Sequence, residues 1–202
     1  MRGHYPLWKR IMDVIGALCG ILCIVPFFPF IAFAIKWESS GPVIVGLDRI
    51  SAGRVIKVYK FRSMINGAHA QKKEFQALNE RNDGPFFKIA KDPRVTRIGR
   101  ILRRFRIDEF PQLLNVLKGE LALVGPRPHE PEEVQHYPLH YWTITNSRAG
   151  VTGLSQVNGA SLLPYIKELE FDEWYVGHFS FLLDMKIVFK TLKIIFFDPS
   201  AV

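Results

Sequence analysis

Charged residues are absent from one long stretch near the start of the chain. No residue between positions 14 and 35 carries a charge at neutral pH, and about 20 consecutive apolar residues are enough to cross the hydrocarbon core of a bilayer. We therefore predict a membrane segment here. No small-residue cleavage site follows the basic start, which argues against a cleaved signal peptide. Cys19 and Cys23 lie inside the stretch. Two thiols make neither a disulfide framework nor a complete zinc site, so we expect them to be reduced and buried against lipid or protein.

Two prolines interrupt the middle of this stretch. Pro26 and Pro29 lack an N–H, so the carbonyl groups of Leu22 and Val25 should lose their helical partners, which is costly in hydrocarbon. The residues leave two arrangements open. One is a kinked helix that spans the bilayer. The other is a helix–break–helix hairpin that enters and leaves by the same face, which agrees better with the basic residues on both sides, because basic residues favour the cytoplasmic side.

Beyond Lys36 the pattern becomes that of a globular domain. Residues 42–50 and 54–64 are rich in β-branched and aromatic residues and are separated by Ser-Ala-Gly, which predicts a short β-hairpin. Residues 67–81 are predicted to form a polar helix, and the Asn-Asp-Gly-Pro stretch that follows predicts a loop. Residues 121–128 predict a strand that leads into a rigid turn. Helical spacing of apolar residues predicts a helix at 95–105. Three further helices are predicted at 110–117, 162–176 and 181–197, the first of them ended by Gly119.

Positive charge is concentrated on two of these helices. The chain has a net charge of +8, which favours anionic partners such as nucleic acid, acidic lipid headgroups or phosphate-bearing substrates. In the helix at 95–105, four apolar residues share one face and four arginines cover the rest. A basic amphipathic helix lies either on a membrane surface or on a protein core, and the adjacent membrane segment favours the membrane surface. The apolar helix at 181–197, with its three lysines, could lie in the same interface.

Two adjacent carboxylates, Asp108 and Glu109, stand between the arginine-rich helix and the next one. Pro111 suits the first turn of a helix, so Asp108 is expected at or near the N-cap, and such aspartates are often only caps. However, residues 91–106 include seven basic residues and one acid, and a helix N-terminus binds phosphate readily. The same positive field should lower the pKa of the Asp108 carboxyl. An ionised carboxylate beside a phosphate can attack phosphorus or bind Mg²⁺, and Glu109 could hold the metal or take a proton.

Four motifs, in order and covering nearly the whole chain, resemble the bacterial monotopic phosphoglycosyl transferases, also called bacterial sugar transferases or undecaprenyl-phosphate sugar-phosphate transferases. The motifs are YKFRSM (59–64), the stretch from DPRV to GPRP (92–128), RAGVTGLSQVNG (148–159) and EFDEWYVGHFSFLLDMKI (170–187). The resemblance implies an α+β, mostly helical fold. Residues 1–37 would form a Pro-broken re-entrant membrane hairpin with its kink at Pro26. Residues 38–202 would form a cytoplasmic catalytic domain with interfacial amphipathic helices and a small β-hairpin.

The resemblance also implies a reaction. Asp108 would attack the sugar-bearing phosphorus of a nucleotide-sugar, usually a UDP-sugar, and release UMP. Polyprenyl (undecaprenyl) phosphate would then attack the phosphosugar-enzyme and give a polyprenyl diphosphate sugar, with help from Mg²⁺ held by Asp108 and Glu109. The setting would be the cytoplasmic face of the bacterial inner membrane, and the product would begin a surface glycan such as exopolysaccharide or O-antigen. The expected partners are these two substrates and a bilayer with anionic lipid. Nucleic acid is not expected, and a homo-oligomer is left open.

Several other residues match positions of the family's pattern. Four are expected to bind substrate phosphate: Arg103, Arg127, Lys60 and Arg148. Three are further site candidates: Asp172, Gln156 and Asn158. For Lys60 and Asp172 a surface ion pair is an equal alternative.

The chain also departs from the family's pattern at four positions. Val25 replaces the serine that often precedes the kink proline, so the bend must be satisfied in another way. Ala149 stands where proline is usual, and Ser63 where threonine is usual. Ala160 follows Gly159 where arginine is frequent, so a phosphate or sugar contact is either missing or supplied by another residue.

Two other functions remain open on the residues. A membrane-anchored module could bind anionic lipid or nucleic acid through its arginines, which would explain the charge but needs no carboxylate pair. A metal-dependent phosphohydrolase could use the same two carboxylates. It would release free sugar phosphate without a lipid acceptor.

Overall fold

The computed structural model describes residues 5–159 and 162–197, and this part of the chain begins with two apolar helices. Helix α1 covers Leu7–Ile24 and helix α2 covers Phe28–Glu38. Together they form a segment long and apolar enough to cross a membrane. Ala160, and the ends of the two predicted domains at residues 1–4 and 198–202, lie outside the described residues.

At the prolines the helix tightens into a single 3₁₀ turn, and the chain does not become extended between the two helices. A 3₁₀ turn, Val25–Phe27, contains Pro26 and joins α1 to α2, and the flanking residues Ile24 and Phe28 keep right-handed helical dihedrals. The expectation that the Val25 carbonyl would lack a partner was wrong, because it accepts the N–H of Phe28 in an i→i+3 bond. The hairpin arrangement in a bilayer stays a prediction.

The two cysteines of α1 are free and exposed. Burial of Cys19 and Cys23 against protein, one of the two expected surroundings, was therefore wrong. The residues of α1 that are buried against the rest of the protein are Lys9, Asp13 and Ala17. The cysteines lie off this face, so their contact with lipid stays a prediction.

Two small sheets follow the helices. Strands β1 (Ile44–Ser51) and β2 (Arg54–Phe61) form the predicted antiparallel hairpin, with Ser51 opposite Arg54. Strand β3 (Ala122–Val124), in the region where a strand was predicted, pairs in parallel with β4 (Gly150–Thr152). The protein is thus α+β and mostly helical, as predicted.

The four helices predicted after the hairpin are all present. They are α3 (Arg97–Arg104), α4 (Gln112–Lys118), α8 (Tyr165–His178) and α9 (Phe181–Phe197). Three short helices that were not predicted also lie in the described residues: α5 (Pro131–Val134), α6 (Trp142–Asn146) and α7 (Leu154–Val157). Gly119 ends α4 in a left-handed conformation, with φ of 78°.

The polar helix predicted at residues 67–81 was wrong. Only two short 3₁₀ turns form there, Ala70–Lys73 and Gln76–Leu78. A segment without an apolar stripe has no face to bury, and tertiary packing supplies most of a helix's stability. The Asn-Asp-Gly-Pro loop that follows is present as predicted.

The apolar helices pack on the core of the same globular domain. Ala17 of α1 is fully buried in a cluster with Val58 of β2 and Val116 of α4. Ile35 of α2 packs in another cluster with residues of β2 and α3, and Phe110 contacts both clusters. Both halves of the membrane segment therefore rest on the domain that carries the arginine-rich helix.

Polar bonds connect both ends of the segment to this domain. At the start, the buried Lys9 ammonium pairs with Asp184 of α9 and donates to the Val124 carbonyl of β3. At the end, the Glu38 carboxylate accepts the N–H groups of Arg97 and Ile98 at the start of α3. A buried ion pair with its remaining hydrogen bonds satisfied fixes geometry, so the segment is held against the domain at two places.

Candidate active site

A strained residue separates the arginine-rich helix from the carboxylate pair. Arg106 has φ of 53° and ψ of 20°, the left-handed region that costs a non-glycine residue about 1–2 kcal/mol. It follows Phe105, the C-cap residue of α3, and is the N-cap residue of a 3₁₀ turn, Ile107–Glu109. The expectation that Asp108 would be an N-cap was therefore wrong: α4 begins at Gln112 and Pro111 is its N-cap residue.

Asp108 lies buried in this turn with its carboxylate free of hydrogen bonds from other described residues; it is 7% exposed. Burial raises the pKa of the Asp108 carboxyl, and the opposing charges of Lys60 and Arg103 do not cancel this effect. The expectation of a lowered pKa was therefore wrong. The turn holds Asp108 away from water, and a group of positive charges alone does not decide its titration.

Glu109 shows the opposite balance. Its Oε1 atom lies 2.7 Å from the Lys60 Nζ atom of β2. Burial raises the pKa of this carboxyl, but Lys60, Arg106 and Arg127 together outweigh burial and hold the pKa below its usual range. Lys60 thus forms an ion pair, but with a partly buried residue of the candidate site and not on the open surface.

Arg103 is positioned by close packing of α3 against the end of β2. Its Nε atom donates to the Ser63 hydroxyl at 2.9 Å, so the serine at this position keeps a hydroxyl acceptor. Thr96 caps α3 by accepting the Gly99 N–H. A Cβ atom on Gly99 would lie 1.9 Å from the Ser63 carbonyl oxygen, so only glycine permits this approach.

Arg127 and Asp172 form a second part of the site. The Arg127 backbone N–H donates to Asp172 Oδ2 at 3.0 Å, while the other oxygen of Asp172 has no partner among the described residues. Burial raises the pKa of Asp172 to about 6. The alternative of a surface ion pair was wrong for Asp172, because this side chain is fully buried and bonds to backbone.

Three other candidates make their contacts elsewhere. The Arg148 guanidinium lies 3.8 Å from the centre of the Tyr5 ring. Asn158 accepts a hydrogen bond from Lys190 of α9. The buried Gln156 side chain donates to the Val151 carbonyl. The structure brings together Asp108, Glu109, Lys60, Arg103 and Arg127, and it does not bond these three to that group.

The carboxylate ligands of the candidate site suit Mg²⁺ only if a substrate phosphate supplies further ligands. The described residues contain no group of three or more His, Cys, Asp or Glu side chains that could hold a metal. Mg²⁺ usually keeps several waters and binds through one or two carboxylates together with substrate phosphates. Asp108 and Glu109 are two such carboxylates, so they fit a metal that arrives with its substrate.

Three residues near the candidate site were not predicted from the sequence as individual site residues: Arg106, Glu168 and His129. Arg106 was counted only as one positive charge, although its φ of 53° directs the turn. Glu168 and His129 are both buried beside Arg127. Their position next to the GPRP and EFD motifs was a signal, but only the fold brings them together.

Comparisons with known proteins identify the family to which the chain belongs. The family described as Bacterial sugar transferase matches residues 4–198. The Exopolysaccharide production protein ExoY of Sinorhizobium fredii is 36% identical over 188 residues, which are 91% of this chain and 83% of that protein. The Undecaprenyl-phosphate galactose phosphotransferase of Salmonella typhimurium is 34% identical over 193 residues, 93% of this chain but 40% of that protein. The Undecaprenyl-phosphate glucose phosphotransferase of Komagataeibacter xylinus is 35% identical in an alignment of 207 positions that covers 96% of this chain and 37% of that protein. The chain spans less than half the length of these two phosphotransferases and belongs to the bacterial sugar transferase family.

Proposed function

We propose that the protein transfers a sugar-1-phosphate from a nucleotide-sugar, by resemblance a UDP-sugar, to undecaprenyl phosphate and releases UMP. The observation that carries the proposal is Asp108, a buried carboxylate with no hydrogen bond from another described residue, beside Lys60 and Arg103. The relatives named as undecaprenyl-phosphate phosphotransferases support this acceptor. The ExoY relative supports a role in exopolysaccharide production.

The reaction proceeds by two displacements at one phosphorus atom. An Asp108 oxygen attacks the phosphorus that carries the sugar, the bond to the UMP oxygen breaks, and UMP leaves with the electron pair. An oxygen of undecaprenyl phosphate then attacks the aspartyl phosphosugar, and the Asp108 carboxylate leaves. A covalent intermediate lets one site serve a water-soluble donor and a lipid acceptor in turn.

The surrounding side chains suit this chemistry. A raised pKa goes with a more basic, more nucleophilic carboxylate, and a carboxylate without hydrogen-bond donors has both oxygens free to attack. Lys60 and Arg103 hold positive charge where phosphate oxygens would lie. Asp108 and Glu109 would hold Mg²⁺, which when bound offsets the repulsion between the carboxylates and the phosphates.

We place the protein on the cytoplasmic face of the bacterial inner membrane as a re-entrant, monotopic protein. The apolar segment and the family indicate a membrane protein. The bonds of Lys9 and Glu38 to one domain support the re-entrant arrangement, because a span would carry one end to the other side. Ile101 of α3 and Phe105, which follows the helix, are exposed beside exposed arginines, which supports contact with anionic lipid.

UMP release tests this proposal directly. Purified protein, Mg²⁺ and undecaprenyl phosphate are incubated with a panel of UDP-sugars. We expect one or a few donors to release UMP together with a lipid diphosphate sugar, and Asp108→Asn to abolish both products. Asp48→Asn is the matched control, because Asp48 lies in an exposed ion pair with Lys57.

Three outcomes would contradict the proposal. Full turnover by Asp108→Asn would remove this residue as the nucleophile. Free sugar phosphate formed without any lipid acceptor would indicate the phosphohydrolase instead. A protein that binds anionic vesicles but consumes none of the donors would indicate the binding module.

A further inference from the structure

One buried carboxylate outside the proposed catalytic pair contacts three basic side chains. Glu168 of α8 is 1% exposed and shares its two oxygens among different partners. Its Oε2 atom accepts a hydrogen bond from Arg81 at 3.3 Å. Its Oε1 atom lies 3.8 Å from Arg127 Nε and 3.5 Å from His129 Nε2. We call these four residues the Glu168 cluster.

Through Arg81 the cluster holds a loop against the start of α8. Arg81 also donates to the Leu163 carbonyl at 2.9 Å and pairs with Asp83 of the same loop. Asp83 in turn accepts the Tyr165 backbone N–H. Phe86 closes this arrangement, since its ring lies 4.9 Å from the Arg81 guanidinium and stacks on His129 at 4.3 Å. The loop, α8 and Glu168 therefore form one connected wall.

Arg127 connects the Glu168 cluster to the proposed catalytic pair, Asp108 and Glu109. The backbone of Arg127 is fixed by Asp172, but its side chain is 39% exposed, and its one ion pair within residues 5–159 and 162–197 is the long contact with Glu168. This guanidinium can therefore bind an incoming anion while Glu168 limits where it points. Arg127 is close enough to Glu109 to lower the pKa of that carboxyl.

The cost of burying Glu168 suggests that it has a role beyond packing. Removing a carboxylate from water costs several kcal/mol and is recovered only when partners surround it. Apolar residues of similar size often fill such positions at no loss of stability. In this protein the Glu168 carboxylate pairs with Arg81 and Arg127, which lie on different segments of the chain.

We propose that Glu168 is a positioning residue for the donor nucleotide: it holds Arg127 beside the Asp108–Glu109 pair and couples Arg127 to the Arg81 loop. The proposal rests on the function proposed above and adds a residue that acts through Arg127. Glu168 itself need not touch the substrate.

Calorimetric titration with UDP and Mg²⁺ tests the proposal without turnover, because UDP is the part shared by all UDP-sugars. We expect Glu168→Gln to raise the Kd for UDP about tenfold, which corresponds to the loss of roughly one charge-assisted contact. The same substitution in an Arg127→Ala background should cause no further weakening. Glu173→Gln is the matched control, since Glu173 lies on the same helix and forms no ion pair within the described part of the chain.

The outcomes separate this inference from the proposed function. Wild-type protein that fails to bind UDP would count against the uridine donor itself. Wild-type binding with an unchanged Kd in folded Glu168→Gln would overturn only the positioning role. An equal loss in the wild-type and Arg127→Ala backgrounds would also overturn it, because a merely structural residue acts independently of Arg127.

A second variant covers a failure of Glu168→Gln to fold. Arg81→Met keeps the carboxylate and removes only the loop side of the Glu168 cluster. It should weaken the Kd for UDP about threefold, and only while Arg127 is present. An unchanged Kd in folded Arg81→Met would overturn the coupling.

Discussion

Asp108 and Glu109 are neighbours in the chain, but burial and charge act on their carboxyl groups with opposite results. Glu109 has a direct ion pair with Lys60 at 2.7 Å, and this charge outweighs burial. Asp108 has no such bond, so burial dominates and raises its pKa. The same neighbourhood thus provides one carboxylate that stays ionised and one that is more basic, which are the properties of a metal ligand and a nucleophile.

Asp108→Asn should therefore raise stability while it removes turnover. An aspartate whose folded pKa is raised binds protons more tightly in the folded state, so its stability contribution is lost as pH rises through the folded pKa. At pH 7 the variant avoids a buried charge, and its Tm in detergent should rise by a few degrees. Below about pH 3 the carboxyl is protonated in both states, and the difference should vanish. A variant less stable than wild type at pH 7 would contradict this balance.

A count of charges along the chain did not predict the electrostatics of the candidate site. The seven basic residues at 91–106 correctly indicated a cationic surface, but they do not act as one field. Arg97, Arg100 and Arg104 are exposed, and Arg94 pairs with Asp92 at 2.6 Å. Within this stretch, Arg103 lowers the pKa of Asp108 and Arg106 lowers that of Glu109, and Lys60 and Arg127 from other elements add to these effects. Burial of one side chain depends on the whole fold, which no local count contains.

At the scale of elements, the β1–β2 hairpin carries a correctable strain. Ala52 and Gly53 form its two-residue turn with φ of 50° and 72°, typical of a type I′ turn that favours Asn-Gly. Ala52→Asn should raise the free energy of unfolding by about 0.5–1 kcal/mol, because asparagine tolerates the left-handed region. Ala52→Val should lower it, since a β-branched residue fits this region poorly. Urea denaturation checks both variants, and UMP release should stay unchanged in the first.

The packing of α3 on β2 predicts a contrast between two glycines. Alanine is favoured over glycine in a helix by about 1 kcal/mol. At Gly99 the added Cβ would overlap the Ser63 carbonyl, and overpacking of about 1–3 kcal/mol should outweigh that gain and move Arg103. Gly177 of α8 faces open space, so Gly177→Ala should stabilise the protein. The Tm and the rate of UMP release should both fall for Gly99→Ala. Equal Tm values of Gly99→Ala and Gly177→Ala would refute the packing argument.

The elements that the sequence predicted are long or have a strong local pattern. The 3.6-residue spacing predicted α3, β-branched runs predicted the hairpin, and α8 and α9 are helices of 14 and 17 residues. The helices α5, α6 and α7 have only four or five residues, too few for a period. The parallel pairing of β3 with β4 joins segments more than 20 residues apart and left no local signal.

At the scale of the whole molecule, the apolar segment must satisfy both lipid and domain. A straight helix of 32 residues would extend about 48 Å, well beyond a bilayer core of about 30 Å. One face of this segment contacts the domain from Lys9 to Glu38, while the outer face exposes large apolar side chains such as Leu22, Phe30 and Trp37. These contacts along the segment favour the proposed re-entrant arrangement, in which the segment enters only the leaflet on which the domain lies.

Cysteine labelling tests this geometry. Pro6→Cys and Ser40→Cys place single thiols at the two ends of the segment in a protein whose Cys19 and Cys23 are replaced by alanine. A membrane-impermeant maleimide should label both thiols in inverted inner-membrane vesicles and neither in spheroplasts. Phe27→Cys, at the turn between α1 and α2 and exposed on the outer face, should react in neither preparation because lipid covers it. Labelling of the two end positions from opposite sides would mean that the bonds of Lys9 and Glu38 to one domain cannot coexist in the membrane. The arrangement of the apolar helices, and the re-entrant placement that depends on it, would then have to be abandoned.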